Sequence, residues 1–134
     1  MRFIDTNVLV YFVDVRNDVK QRRARSILVE ALGSHDYVIS IQVLNEFANI
    51  ALKKLQLTED ETKAYIEAFK SIGTLRPRVE WTSRALEIRK RYMIQFYDAM
   101  LLAAAEAGGC DEILTEDLND GQLYCGIKAV NPFK

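Results

Sequence analysis

Only one histidine, His35, and two cysteines, Cys110 and Cys125, occur in the chain. They stand in no metal-ligand spacing, so a zinc site of the Cys/His kind is excluded. His35 falls in the loop before the second strand, where a surface position is expected. Ser–His–Asp and Cys–His nucleophiles therefore lack their parts. Two unpatterned cysteines suit a reducing cytoplasm. Charge of one sign is not in excess either: 18 Lys and Arg against 19 Asp and Glu give a formal net charge of −1. Composition thus does not announce a nucleic-acid binder, and any such surface has to come from local clustering. No apolar run approaches the ~20 residues of a membrane span. The start, MRFIDTN, lacks the basic-then-apolar pattern of a signal peptide. Repeats and low-complexity linkers are missing. The 134 residues, 49% hydrophobic and 28% charged, are expected to form one soluble globular domain over 1–134, with a sizeable core.

Strand and helix patterns alternate along this length. Met1 to Asp5 reads as a short buried strand. Val8 to Val13 fits strand or helix by pattern alone, and the turn-favouring Thr6-Asn7 before it favours a short helix. A helix is expected from about Asp18 to Leu32, stopping at Gly33, on the helical spacing of Ala24, Ile27, Leu28, Ala31 and Leu32. Tyr37 to Ser40 reads as a second strand, with Ser40 capping a helix from Ile41 to about Leu55. Thr58 to Glu61 is a capping box for a helix ending near Gly73. Pro77 closes a loop, and Arg78 to Trp81 is expected to be a short strand. Helices follow from Ser83 to Tyr92 and from Phe96 or Tyr97 to Ala107. The last is apolar all round from Met100 to Ala105, as a central helix would be. Glu112 to Thr115 and Ile127 to Val130 are the final strands. The order implies an α/β fold: an α/β/α sandwich with a mainly parallel sheet.

Against this background four acids are out of place. Asp5 ends the apolar run Phe3-Ile4. Glu46 interrupts Val43-Leu44…Phe47-Ala48 near the apolar face of its helix. Asp98 stands between Phe96-Tyr97 and the run Ala99 to Ala105. Asp117 follows Ile113-Leu114-Thr115. Carboxylates withdrawn from water repel one another and lose hydration, and a hard divalent cation such as Mg²⁺ or Mn²⁺ is the simplest compensation. In a parallel sheet the functional crevice lies outside the carboxyl ends of the strands. Asp5 and Asp117 stand there, and Asp98 is in the first turn of a central helix, where the dipole favours its charge. Each acid also has a plainer reading: Asp98 as a helix cap, Asp117 as a turn residue, Glu46 as a helix acid reaching water. Asp5 has the least structural use.

The segments Phe3 to Tyr11, Phe96 to Ala105 and Ile113 to Gln122 closely resemble three motifs of PIN-domain nucleases. Ser40 to Phe47 resembles the glutamate helix of that family. The four motifs occur in order over essentially the whole chain, and the nearest type is the VapC-like toxin of toxin–antitoxin pairs. Tyr97 departs from the pattern, since a tryptophan or another residue often precedes that aspartate. The resemblance implies a Mg²⁺- or Mn²⁺-dependent endoribonuclease in the cytoplasm, usually a homodimer held by a VapB-like antitoxin. Its catalytic, metal-binding acids carry over as Asp5, Glu46, Asp98 and Asp117, with Thr6, Asn7 and Thr115 as supporting polar groups and Asp120 as an outer acid. Asp5 and Asp98 are expected to bind the ion directly, Asp117 directly or through water, and Glu46 to bind a second ion or place the attacking water.

The basic clusters Arg22, Arg23, Arg25 and Arg89, Lys90, Arg91, with Lys53-Lys54, are candidate RNA contacts, although such runs are most often solvated helix faces. Tyr11, Phe12, Phe47, Tyr65 and Phe69 suit a core or an antitoxin groove, Phe47 the core. Rival chemistries fail on single positions. An aspartyl phosphatase wants a second aspartate at the position of Asn7. A receiver domain wants an acidic pair after the first strand and an aspartate near Ser40. A housekeeping RNA-processing nuclease and a non-catalytic interaction module remain as alternatives.

Overall fold

In the computed structural model, all residues from Met1 to Lys134 are described. The elements are β1 (Arg2–Ile4), α1 (Thr6–Val13), α2 (Asp18–Leu32), β2 (Tyr37–Ser40), α3 (Ile41–Lys53) and α4 (Glu59–Phe69), then β3 (Gly73–Leu75), α5 (Val79–Tyr92), α6 (Phe96–Ala107), β4 (Glu112–Leu114), β5 (Leu123–Tyr124) and β6 (Ile127–Val130). The strand order is β3-β2-β1-β4-β6-β5. All pairings are parallel except β5 with β6.

The order places the functional crevice. From β1 the chain steps outward through β2 to β3, then returns to lay β4 on the other side of β1. Right-handed crossovers put the outward helices on one face and the returning ones on the other. Accordingly α1 packs against both α2 and α3, α3 packs against α4, and α5 packs on α6. The β1/β4 junction is the point where the winding reverses, and a crevice opens there at the strands' carboxyl ends. Asp5 directly follows β1 and Thr115 directly follows β4, with the Asp5 N–H donating to Leu114 O at 3.1 Å.

Local signals explain most boundaries. Ser40 accepts from Val43 N as the cap of α3, and Thr58 and Glu61 form a reciprocal capping box on α4, which satisfies amides that have no helical partner. One connected core of 32 buried hydrophobic residues fills both sides of the sheet. Phe47 and Phe69 lie inside it edge-on to each other; the half-buried Phe12 stands edge-on to Phe69, and the half-buried Tyr65 is edge-on to Phe47 and stacked on Phe69. Tyr11 instead stands edge-on to Phe133.

Two expectations about strands need correction. Arg78 to Trp81 is not a strand: Arg78 is an extended N-cap, and Val79 to Trp81 form the first turn of α5. The alternation of Val79 and Trp81 imitates a strand over three residues, but Val79 is exposed while Trp81, Ala85 and Ile88 are buried at helical spacing. The edge strand is Gly73–Leu75, paired to β2 where only a helix stop was expected. The second missed strand, β5, is two residues long and turns back into β6 through Cys125 and Gly126, whose φ angles are 54° and 82°. Positive φ at both central residues is the turn whose twist suits a two-residue hairpin. No helix is long and apolar enough to cross a membrane.

Candidate active site

Asp5 is the fixed point of the crevice. It caps α1, is 3% exposed, and its Oδ1 accepts the Thr6 N–H at 2.6 Å. Its Oδ2 accepts the Thr115 hydroxyl at 2.6 Å and the Asn7 amide at 3.4 Å. Burial pushes the Asp5 carboxyl up to about 7; the Thr115 and Thr6 bonds oppose the rise, and the charges of Asp117 and Glu46 add to it. The local hydrogen bonds therefore favour the carboxylate, and the loss of hydration outweighs them.

The other acids gather through polar side chains of α1 and β4. Thr6 Oγ1 donates to Glu46 Oε2 at 2.8 Å, and Gln42 Nε2, one helical turn before Glu46, donates to Oε1 at 2.7 Å. Both oxygens of Glu46 are thus oriented. The Asn7 amide nitrogen donates to Asp117 Oδ2 at 3.1 Å while also facing Asp5, so one amide spans two carboxylates. Thr115 Oγ1 accepts the Asp117 N–H at 3.0 Å, which turns the chain after β4 back toward Asp5. The side chain of Asp98, half-buried in the first turn of α6, makes no hydrogen bond within the protein. No side chain caps α6, so Asp98 does not serve as its cap. Burial pushes the Asp98 carboxyl up to about 6, with Asp117 and Glu46 adding to the rise.

All four acids line one cleft of about 310 Å³. A second, of about 480 Å³, shares Asp98 and Asp117 and continues past Met93 and Leu118. The two clefts thus meet at Asp98 and Asp117. As the side chains stand, no three of them are drawn close enough to hold one ion together; Asn7 keeps Asp5 and Asp117 apart. The donor set nevertheless fits a hard divalent cation. It consists of carboxylate oxygens, and two of these groups are pushed upward, first by burial and then by the neighbouring negative charge. Beside them the Asn7 Oδ1 atom is buried without any partner, an oxygen acceptor for an ion or its water.

The remaining candidates separate clearly. Thr6, Asn7 and Thr115 lie among the acids. Asp120 does not: its Oδ1 accepts the Asn131 N–H at 2.8 Å, its Oδ2 lies 3.8 Å from Lys134 Nζ, and it lines neither cleft. Arg23 donates to Pro132 O, Arg25 lies over the Phe12 ring and Arg22 turns back to Asp18 O. Arg89, Lys90 and Arg91 occupy the last turn of α5, where they complement the helix dipole. None of these six lines the acid cleft. Two cations do: Lys54, at the C-cap of α3, and Arg16, in the loop after α1. Lys54 was visible as part of a basic pair. Arg16 carried no sequence signal, because only the fold brings the loop after α1 to the rim. The exposed His35 lies before β2, at the amino ends of the strands and away from the acids.

The family model of the PIN domain matches residues 2–120. The chain belongs to the PIN domain family. Solved structures share the fold across nearly the full length. A toxin–antitoxin complex from Klebsiella pneumoniae is similar with a TM-score of 0.74 at 23% identity, covering 98% of both chains. The toxin VapC20 of Mycobacterium tuberculosis, described as cleaving the sarcin–ricin loop, gives a TM-score of 0.68 at 13% identity, over 84% of this chain and 87% of that one. DNA-bound VapBC from Salmonella typhimurium gives 0.68 at 20% identity, over 96% and 95%. No curated protein matches the chain in sequence.

Proposed function

We propose that this protein is a Mg²⁺- or Mn²⁺-dependent endoribonuclease and the toxin of a VapBC-type toxin–antitoxin pair. The observation that carries the reading is the convergence of Asp5, Glu46, Asp98 and Asp117 on one groove at the β1/β4 reversal of a PIN fold. A divalent ion held there would supply charge neutralisation at the phosphodiester and a water of lowered pKa. Asp5, Asp98 and Asp117 are the residues to hold it. Thr6 and Thr115 donate to Asp5, which fixes its two oxygens and leaves their outward lone pairs for the ion. Asp98, without a partner of its own, is free to turn toward the same point. Glu46, held by Thr6 and Gln42, orients the attacking water or a second ion.

The toxin role, the antitoxin and a homodimer rest on the motif resemblance and on the likeness to toxin structures. The test is cleavage of a mixed RNA substrate by protein free of antitoxin, in Mg²⁺, Mn²⁺ or EDTA. Cleavage that needs metal and disappears in Asp5→Asn and Asp98→Asn supports the reading. A folded wild type that neither cleaves RNA nor arrests growth when expressed without an antitoxin refutes it.

A further inference from the structure

The lining of the acid cleft includes a pair of cations beside its carboxylates. Six carboxylates and only two cations, Arg16 and Lys54, line this cleft. Such an excess of negative charge repels a polyanion, and a cation placed at the same opening counters it locally. Arg16 is held in place from beneath. Its Nε and Nη2 donate to the two oxygens of Asp14 at 2.9 Å each, and Asp14 is itself the buried C-cap of α1. That fork leaves Nη1 uncommitted on a side chain 69% exposed. Lys54 is exposed and pairs with no carboxylate although it shares the cleft with six. A bidentate Asp14–Arg16 pair and a helix-end Lys54 would stabilise the fold equally well pointing away from the cleft. Their common place in its lining is what a purely structural role leaves unexplained.

We propose that Arg16 and Lys54 form a phosphate subsite that holds an RNA backbone phosphate beside the bond being cut. The assignment rests on the ribonuclease reading. Arg16 offers the preorganised planar donor that suits a phosphate oxygen, and Lys54 a mobile point charge. Both recognise backbone, so they add affinity without sequence preference.

The test is equilibrium binding of a fluorescent mixed-sequence single-stranded RNA to the full chain. Ca²⁺ replaces Mg²⁺, and salt is varied, for wild type, Lys54→Ala, Arg16→Gln and, as a control, Lys63→Ala, an exposed cation outside the acid cleft. Each lost phosphate contact lowers the slope of log affinity against log salt by about 0.7 for a single strand. Lys54→Ala and Arg16→Gln should each show that drop for every RNA sequence, with KM raised and kcat nearly kept, while Lys63→Ala follows the wild type. Lys54→Ala removes no intramolecular partner, so it keeps the test valid if Arg16→Gln unfolds the loop. Wild-type RNA binding with an unchanged slope in Lys54→Ala overturns the subsite and leaves the nuclease reading intact. Binding of poly-glutamate that is lost in Lys54→Ala while RNA binding is unchanged overturns it in favour of an acidic protein partner. A folded wild type that binds no RNA at low salt overturns the nuclease reading and the subsite with it.

Discussion

Asp5→Asn should make the metal-free protein progressively more stable, relative to wild type, as pH rises. Burial pushes the Asp5 carboxyl from 3.8 to about 7. In the sign convention of linked protonation, a carboxyl with a raised folded pKa binds more protons in the folded state, so stability falls as pH climbs through that range. The full difference is worth on the order of 4 kcal/mol, of which roughly 2–3 kcal/mol falls between pH 5 and pH 8. Asparagine cannot ionise and escapes this loss. It brings a fixed penalty, because its amide hydrogens face the Asn7 amide where Asp5 Oδ2 accepted; an unmade buried hydrogen bond costs about 1–3 kcal/mol. That penalty does not change with pH, so the pH trend of the difference is the informative quantity. Urea unfolding of both proteins in EDTA at pH 5 and pH 8 reads it directly. The variant should gain roughly 2–3 kcal/mol on wild type across that interval, and added Mg²⁺ should shrink the gain by stabilising only the wild type. Parallel pH profiles in EDTA would refute the reasoning, since Asp5 would then ionise as readily folded as unfolded.

Thr115→Val should destabilise the protein by about 1–3 kcal/mol, because it strips the hydroxyl that Asp5 accepts and leaves the Asp117 N–H without its acceptor; urea midpoints equal to wild type would sink that role. Asp98→Asn should raise the thermal midpoint of the metal-free protein at pH 8 more than at pH 5. Its carboxyl, pushed up to about 6 by burial and by its acidic neighbours, is charged at the higher pH and has no hydrogen-bond partner to lose. A lowered midpoint at both pH values would assign Asp98 a structural role instead.

How much of this was open to inspection in the sequence depended on range. The strands β1, β2, β4 and β6 and the helix caps Ser40 and Thr58 announce themselves within a few residues. So does the topological reason for Asp5, Asp98 and Asp117 to face one rim, since each ends a strand or begins a helix. The edge strand β3 was hidden because three residues beside a helix stop carry no period, and its partner β2 lies over thirty residues away. Val79 and Trp81 mimicked a strand because a helix and a strand both admit a buried residue two positions from an exposed one. Contacts closed by the fold were the least visible: the Thr6–Glu46 hydrogen bond, the Asn7 amide between two acids, and the Asp14–Arg16 fork at the cleft. Asp120 shows the converse, an acid near a motif whose nearest partners belong to the C-terminal segment.

The most direct measurement is calorimetric titration of Mn²⁺ into the metal-free full chain at pH 7.5, for wild type, Asp5→Asn and Asp98→Asn. The account requires saturable Mn²⁺ binding by wild type that either substitution removes or weakens at least tenfold, with fractional proton release from Asp5, whose carboxyl burial pushes up to about 7. Saturable binding of equal strength in all three proteins, or no binding by a folded wild type, would contradict it.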